Sequence, residues 1–183
     1  KEGAEAQLDF IPYFEIYQGS PVALSSGSTY ICMPDAPVMT LGEYCDNLDP
    51  RKQPEYDFVL ILNAIKHLSD CIQRLHSYKN DEGQNLLHGN IAPSNFGFRC
   101  DAKSWGRTFQ REIRPDTLVL YDLDSVHFLG SPTRHYSLEY AAPEVIAQTG
   151  ESVQSDIYSI GATLLDALLR SNSNRCSKPS EIG

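Results

Sequence analysis

Amides and carboxylates recur at a few close spacings in this chain. His88-Gly89-Asn90-Ile91-Ala92-Pro93-Ser94-Asn95 sets two asparagines five residues apart, and Asp122-Leu123-Asp124 follows further on. Ala142-Pro143-Glu144 and Asp156-Ile157-Tyr158-Ser159-Ile160-Gly161 come next. A carboxylate and an amide oxygen are hard ligands that suit magnesium, so Asn95 and Asp122 could share a cation. Taken alone, Asn95 reads equally as a turn residue bonding its own backbone, and Asp122 as an acid at a strand end. Asn90 has no proton-accepting group near neutrality, so it cannot serve as a base.

In that order and spacing the segments resemble the eukaryotic protein-kinase family. The matches are to the HRDxxxxN catalytic loop, the DFG metal-binding turn, the APE motif and the DxWSxG start of the central helix. The likeness runs from about residue 10 to about residue 170. It implies an α+β, protein-kinase-like fold: mainly the helical C-lobe, with the last two N-lobe strands and the hinge. The chain then reads as one incomplete domain. Residues 10–37 would end the N-lobe and form the hinge, and 38–183 would be a C-lobe cut after its central helix. The resemblance makes Asn95 and Asp122 the metal ligands, Met33 and Asp35 the hinge contacts to a nucleotide, and Asn90 the occupant of the catalytic-aspartate position. It implies ATP and Mg2+ as cofactors, without assuring them.

The departures fall on the reaction centre. Phosphoryl transfer is mostly positioning and charge stabilisation, with one group accepting the substrate hydroxyl proton. Asn90 replaces that group, which is worth about 10²–10⁴ in rate, or roughly 3–5 kcal/mol of barrier. Gly89 replaces the arginine that would hold a phosphorylated loop. Ala92 replaces the lysine that approaches the transferring phosphate. Asp124 replaces the DFG glycine and restricts a backbone that glycine leaves free. The HGN loop also resembles kinase relatives such as the regulatory domain of Janus kinases. The expected function is therefore a pseudokinase, a regulatory or scaffolding module with other proteins, kinases or signalling proteins, as partners. The alternative is an active atypical serine/threonine kinase that transfers the ATP γ-phosphate to protein hydroxyls, with another acid such as Asp124 as base. A third reading, a small-molecule phosphotransferase, sits poorly with Ala142-Pro143-Glu144 and the Asp156–Gly161 segment.

Other residues take roles from the same likeness. His88 would pack under the loop beside Leu123. Asp156 would cap its helix or brace the loop backbone. Glu144 would pair with an arginine beyond Gly183. Ser131, Thr133 and Ser137 lie in an activation-like segment and are candidate phosphorylation sites, or simply solvated serines and threonine. Trp105 and Phe109, in the polar excursion 100–117, form a partner hot spot if exposed and a loop cover if not. Neither a glycine-rich loop nor a strand lysine is visible, through truncation or loss.

Elements must position these residues. Residues 10–17 and Thr29–Met33 read as two strands of a hairpin turning over 19–28, and Pro34–Pro37 as a break. Thr40-Leu41-Gly42-Glu43 has capping-box form and starts a short helix. Ile61, Ile65, Leu68, Ile72 and Leu75 step by four and three, which predicts a helix over 56–78 with one buried face. Leu86–Phe98 reads as a loop then a strand, Leu118–Tyr121 as a strand, and 124–140 as irregular. Ile157, Ile160, Leu164, Leu165 and Leu168 predict a buried helix, with a polar tail from Ser171.

Bulk properties fit one soluble domain or part of one. The chain has 183 residues, is 41% hydrophobic and 21% charged, and carries a net charge of −9. No basic cluster suggests a nucleic-acid surface. Its five cysteines are scattered and lack zinc-site spacing, which points to reduced thiols and an intracellular, cytoplasmic setting. No apolar run suggests a membrane span. The first residue, Lys1, suggests a fragment.

Overall fold

The structure is a computed structural model that describes residues 22–23, 29–30, 38–47, 54–99, 118–120, 125–131 and 135–176. They form a mixed α+β arrangement of helices with small antiparallel sheets. In chain order these are β1 (Val22–Ala23), β2 (Thr29–Tyr30), β3 (Val38–Thr40), α1 (Leu41–Asp46) and α2 (Pro54–Ser77). There follow β4 (Leu86–Leu87), β5 (Phe96–Arg99), β6 (Leu118–Leu120), β7 (His127–Phe128), α3 (Pro143–Ile146) and α4 (Val153–Cys176). Among the described residues no helix is long and apolar enough to cross a membrane.

Helix α2 forms where its apolar spacing requires. Ile61, Ile65, Leu68, Ile72 and Leu75 are all buried, on the stripe that faces the core. Helix α1 begins at a complete capping box: Thr40 Oγ1 accepts the Glu43 N–H at 3.1 Å, and Glu43 Oε2 accepts the Thr40 N–H at 2.9 Å. Two donors that the helix start cannot satisfy internally are thereby bonded. Thr40→Ala is expected to cost about 1 kcal/mol, read as a lower urea midpoint at unchanged slope. A loss indistinguishable from zero would mean that α1 starts without its cap.

Strands β3, β5 and β6 make one antiparallel sheet in that order, with Met39 opposite Phe98 and Phe96 opposite Leu120. Phe96 and Phe98 point into the core, where Phe98 meets Tyr44 edge-on at 6.3 Å. The Tyr44 hydroxyl donates to the buried Asp57 carboxylate at 2.8 Å and so ties α1 to the start of α2.

Several expectations need correction. Strand β1 lies within 19–28, the stretch read as a turn, and pairs Val22 with Tyr30. Strand β7 lies inside the segment read as irregular, and α4 runs past Ser171 to Cys176. Of the α4 residues expected to be buried, Ile160 is, and Leu164 and Leu168 pack against the core, but small residues share that inward face. Ser155, Ser159, Thr163, Ala167 and Ser171 are buried at four-residue spacing, whereas Ile157 is 58%, Leu165 59% and Leu169 55% exposed. Small side chains let α4 approach α1 and α2 closely, and counting apolar residues alone misses that. The expected strand 10–17, the break at Pro34–Pro37, the hinge residues Met33 and Asp35, and Trp105 and Phe109 lie outside the described residues.

Candidate functional site

The loop 88–95 runs between β4 and β5, so both its ends are anchored. Leu87 of β4 is fully buried and pairs with His127 of β7. At the other end Phe96 enters the β3–β5–β6 sheet. In the middle, Pro93 O accepts the Gly42 N–H of α1 at 3.1 Å.

Asp156 near the start of α4 holds the loop's entry. Its Oδ2 accepts the His88 N–H at 2.9 Å and His76 Nε2 at 2.8 Å. Its Oδ1 accepts the Gly89 N–H at 3.0 Å. Burial alone would push this carboxyl up. The hydrogen bonds from His76, His88 and Gly89 outweigh burial and hold it below the usual carboxylate range. Of the two readings of Asp156, the bracing one describes this geometry. Gly89 itself takes φ +76, a left-handed backbone that glycine adopts without strain.

The two asparagines come together. Asn95 Nδ2 donates to the Asn90 main-chain O at 2.8 Å, and Asn95 Oδ1 accepts from Ser94 Oγ at 2.9 Å. Asn90 Oδ1 accepts both the Ser137 N–H, at 2.8 Å, and the Ser137 hydroxyl, at 2.9 Å. The side chain at the centre of the loop thus binds the segment 135–141 instead of facing open solvent. That segment is held again further along, where the Tyr140 hydroxyl donates to Asp166 Oδ2 at 2.9 Å. Arg170 bridges Asp166 at 2.8 Å and Asp46 at 3.2 Å, joining α4 to α1.

His88 is fully buried beneath the loop, and its Nδ1 accepts the Asn90 N–H at 3.3 Å. Its expected neighbour Leu123 lies outside the described residues, as do Asp122, Asp124 and Thr133. An amide oxygen carries two lone pairs. Asn95 Oδ1, with Ser94 on one, therefore fits a single magnesium contact, and the second ligand would have to come from Asp122. Among the described residues no group of three or more His, Cys, Asp or Glu is arranged for a metal. Glu144 accepts the Ser155 hydroxyl at 2.7 Å, an anchor from α3 to α4 within the chain.

The sequence reading missed three partners: Ser137 for Asn90, His76 for Asp156, and Glu151 for His127, at 3.0 Å. His76 does carry a signal, since it closes the last turn of α2. The other two pairs have none, because they are made by folding across long separations. No protein-family model matches the chain, and no curated protein does.

Proposed function

We propose that this chain is a protein-kinase-like domain whose catalytic loop is disarmed, acting as a pseudokinase: a regulatory or scaffolding module for other proteins. One observation carries the reading. The side chain at the centre of the loop is an amide, and its oxygen is occupied by two donors from Ser137. An amide cannot take a proton from a substrate hydroxyl, and this one serves to hold a neighbouring segment in place. The nearby carboxylate of Asp156 is likewise committed to backbone and histidine donors.

The order of the motifs supports the kinase-like fold within this reading, and so does the loop's place between two anchored strands. ATP and Mg2+ would be held through Asn95 and Asp122, with Met33 and Asp35 at the hinge. The cation would neutralise phosphate charge there. Asn95 contributes an oriented oxygen, because its amide nitrogen is fixed on Asn90. An intracellular, cytoplasmic setting belongs to the same reading and agrees with the free thiols of Cys45 and Cys71.

The test is transfer of radiolabelled phosphate from ATP by the full-length protein, with magnesium or manganese, beside Asp122→Asn. The expected result is no transfer above the Asp122→Asn background. Transfer by the natural protein that disappears in Asp122→Asn would overturn the reading and point to the active, atypical kinase.

A further inference from the structure

His127 stands at a junction that the proposed function does not use. It lies on β7, opposite Leu87, and both of its ring nitrogens face oxygen. Nδ1 is 2.7 Å from the Ser125 carbonyl, and Nε2 is 3.0 Å from Glu151 Oε2. A carbonyl and an ionised carboxylate can only accept hydrogen bonds. A neutral imidazole has one N–H, so it can satisfy one of these contacts and must turn a lone pair toward the other. Only the imidazolium donates to both. The side chains are 11% and 10% exposed, so water replaces neither bond easily.

The ring also touches the loop. A Cβ placed on Gly89 would fall 2.9 Å from His127 Cε1 and 2.9 Å from the Ser125 carbonyl, so ring and turn close directly on the Gly89 backbone. The charges around the ring are compatible with a cation. Glu151 precedes α4, and Asp156, on α4, bonds the Gly89 N–H and adds a second favourable field. From the loop comes His88, whose Nδ1 is engaged by Asn90. From α2 comes His76, which donates to Asp156. Strand β4 contributes Leu86 and Leu87, neither titratable. The Glu151 hydrogen bond, against opposing burial, holds the His127 pKa above its ordinary value.

We propose that His127 is a proton-operated clamp on the 88–95 loop: as imidazolium it ties the Ser125 turn and Glu151 together over Gly89, and on losing its proton it keeps only one of the two bonds and loosens the loop. The direction follows from linkage. A histidine whose folded pKa is raised contributes stability that is complete below its unfolded value, about 6.5. That contribution is lost as pH rises through the higher folded value. The loop is therefore fully held below about pH 6.5 and freed as pH rises through the higher folded value. The clamp rests on these contacts alone, so it stands or falls independently of phosphate transfer.

The test is an NMR titration of the His127 ring in the full chain, with hydrogen exchange of the Gly89 and Asn90 amides followed over the same pH range. Exchange is corrected for its intrinsic pH dependence. The expected midpoint lies above about 6.5. Protection at Gly89 and Asn90 should fall roughly tenfold through it, the factor of one lost charge-assisted hydrogen bond, while Leu68 in α2 stays protected. Glu151→Gln, which keeps an acceptor but removes the charge, should lower the midpoint. A His127 midpoint at or below the ordinary value would overturn the clamp. So would loop protection that stays flat through the midpoint, or a parallel loss at Leu68, which would mean global unfolding. An unchanged midpoint in Glu151→Gln would also reject it.

Discussion

Asp156→Ala is expected to destabilise the chain by about 3–5 kcal/mol, the usual cost of removing one partner from a buried charged network. The physical reason is what it leaves behind. Asp156 is 2% exposed, and its two oxygens accept from His76 Nε2, the His88 N–H and the Gly89 N–H. Without the carboxylate, one buried donor (His88 N–H) and two partly buried ones (His76 Nε2 and Gly89 N–H) lose their acceptor, and a buried group left unmade costs about 1–3 kcal/mol. At this chain length the melting temperature should drop by roughly 6–20 °C. Asp156→Asn should fall between wild type and alanine. An amide offers one accepting oxygen, and its NH2 must face a donor. The effect also carries a pH signature. The Asp156 carboxyl titrates below the usual carboxylate range, so its contribution is complete above the unfolded value, about 3.9. It is lost as pH falls through the lower folded value. The gap between wild type and Asp156→Ala, measured by urea unfolding, should be widest near neutral pH and close in acid. A loss under about 1 kcal/mol, a typical single hydrogen bond, would mean that this carboxylate does not anchor the loop.

Asp156 also shows which parts of the site can be read from residue order. It follows the asparagine loop by a long interval, and only its place among the other motifs suggested a brace. The brace then appears as hydrogen bonds to residues 68 and 67 positions away. Features written in a short window were legible. The capping box at Thr40 spans four residues, and the α2 stripe repeats the helical period four times over, so local sterics and burial force both. Features made by closure were not. Ser137 reaches Asn90 across 47 positions and Glu151 reaches His127 across 24, and nothing in the flanking residues announces either. The inward face of α4 was legible only in part, in Ile160, Leu164 and Leu168. Hydrophobic content marks which residues prefer burial. Close helix approach instead selects small ones, so Ser155, Ser159, Thr163, Ala167 and Ser171 went inside while Ile157, Leu165 and Leu169 stayed out.

Gly97→Ala is expected to cost about 3 kcal/mol, the upper end of ordinary overpacking, and to lower the melting temperature by roughly 6–12 °C. Gly97 sits in β5, directly opposite Thr40 of β3. A Cβ there would overlap the Met39 carbonyl oxygen, and would lie 2.7 Å from the Met39 carbonyl carbon and 2.8 Å from Thr40 Cα. These neighbours are backbone, so no side-chain rotation relieves the clash and the strands must part. The consequence reaches the site, because the same stretch of chain continues from β3 into α1. Thr40 opens that helix with its capping box, and Gly42 donates to Pro93 O in the loop. Moving β3 away from β5 therefore pulls on the loop at Pro93, two residues before Asn95. Gly161 supplies the control. It lies on the exposed side of α4, and a Cβ there would meet nothing within 4 Å. Alanine is the better helix former, so Gly161→Ala should stabilise the chain by about 0.5–1 kcal/mol. The two alanines should thus shift the urea midpoint in opposite directions, and only Gly97→Ala should raise hydrogen exchange at Asn95. Equal and small effects from both would mean that β3 and β5 are not in close contact at Gly97, and the loop would then lose its anchor on that side.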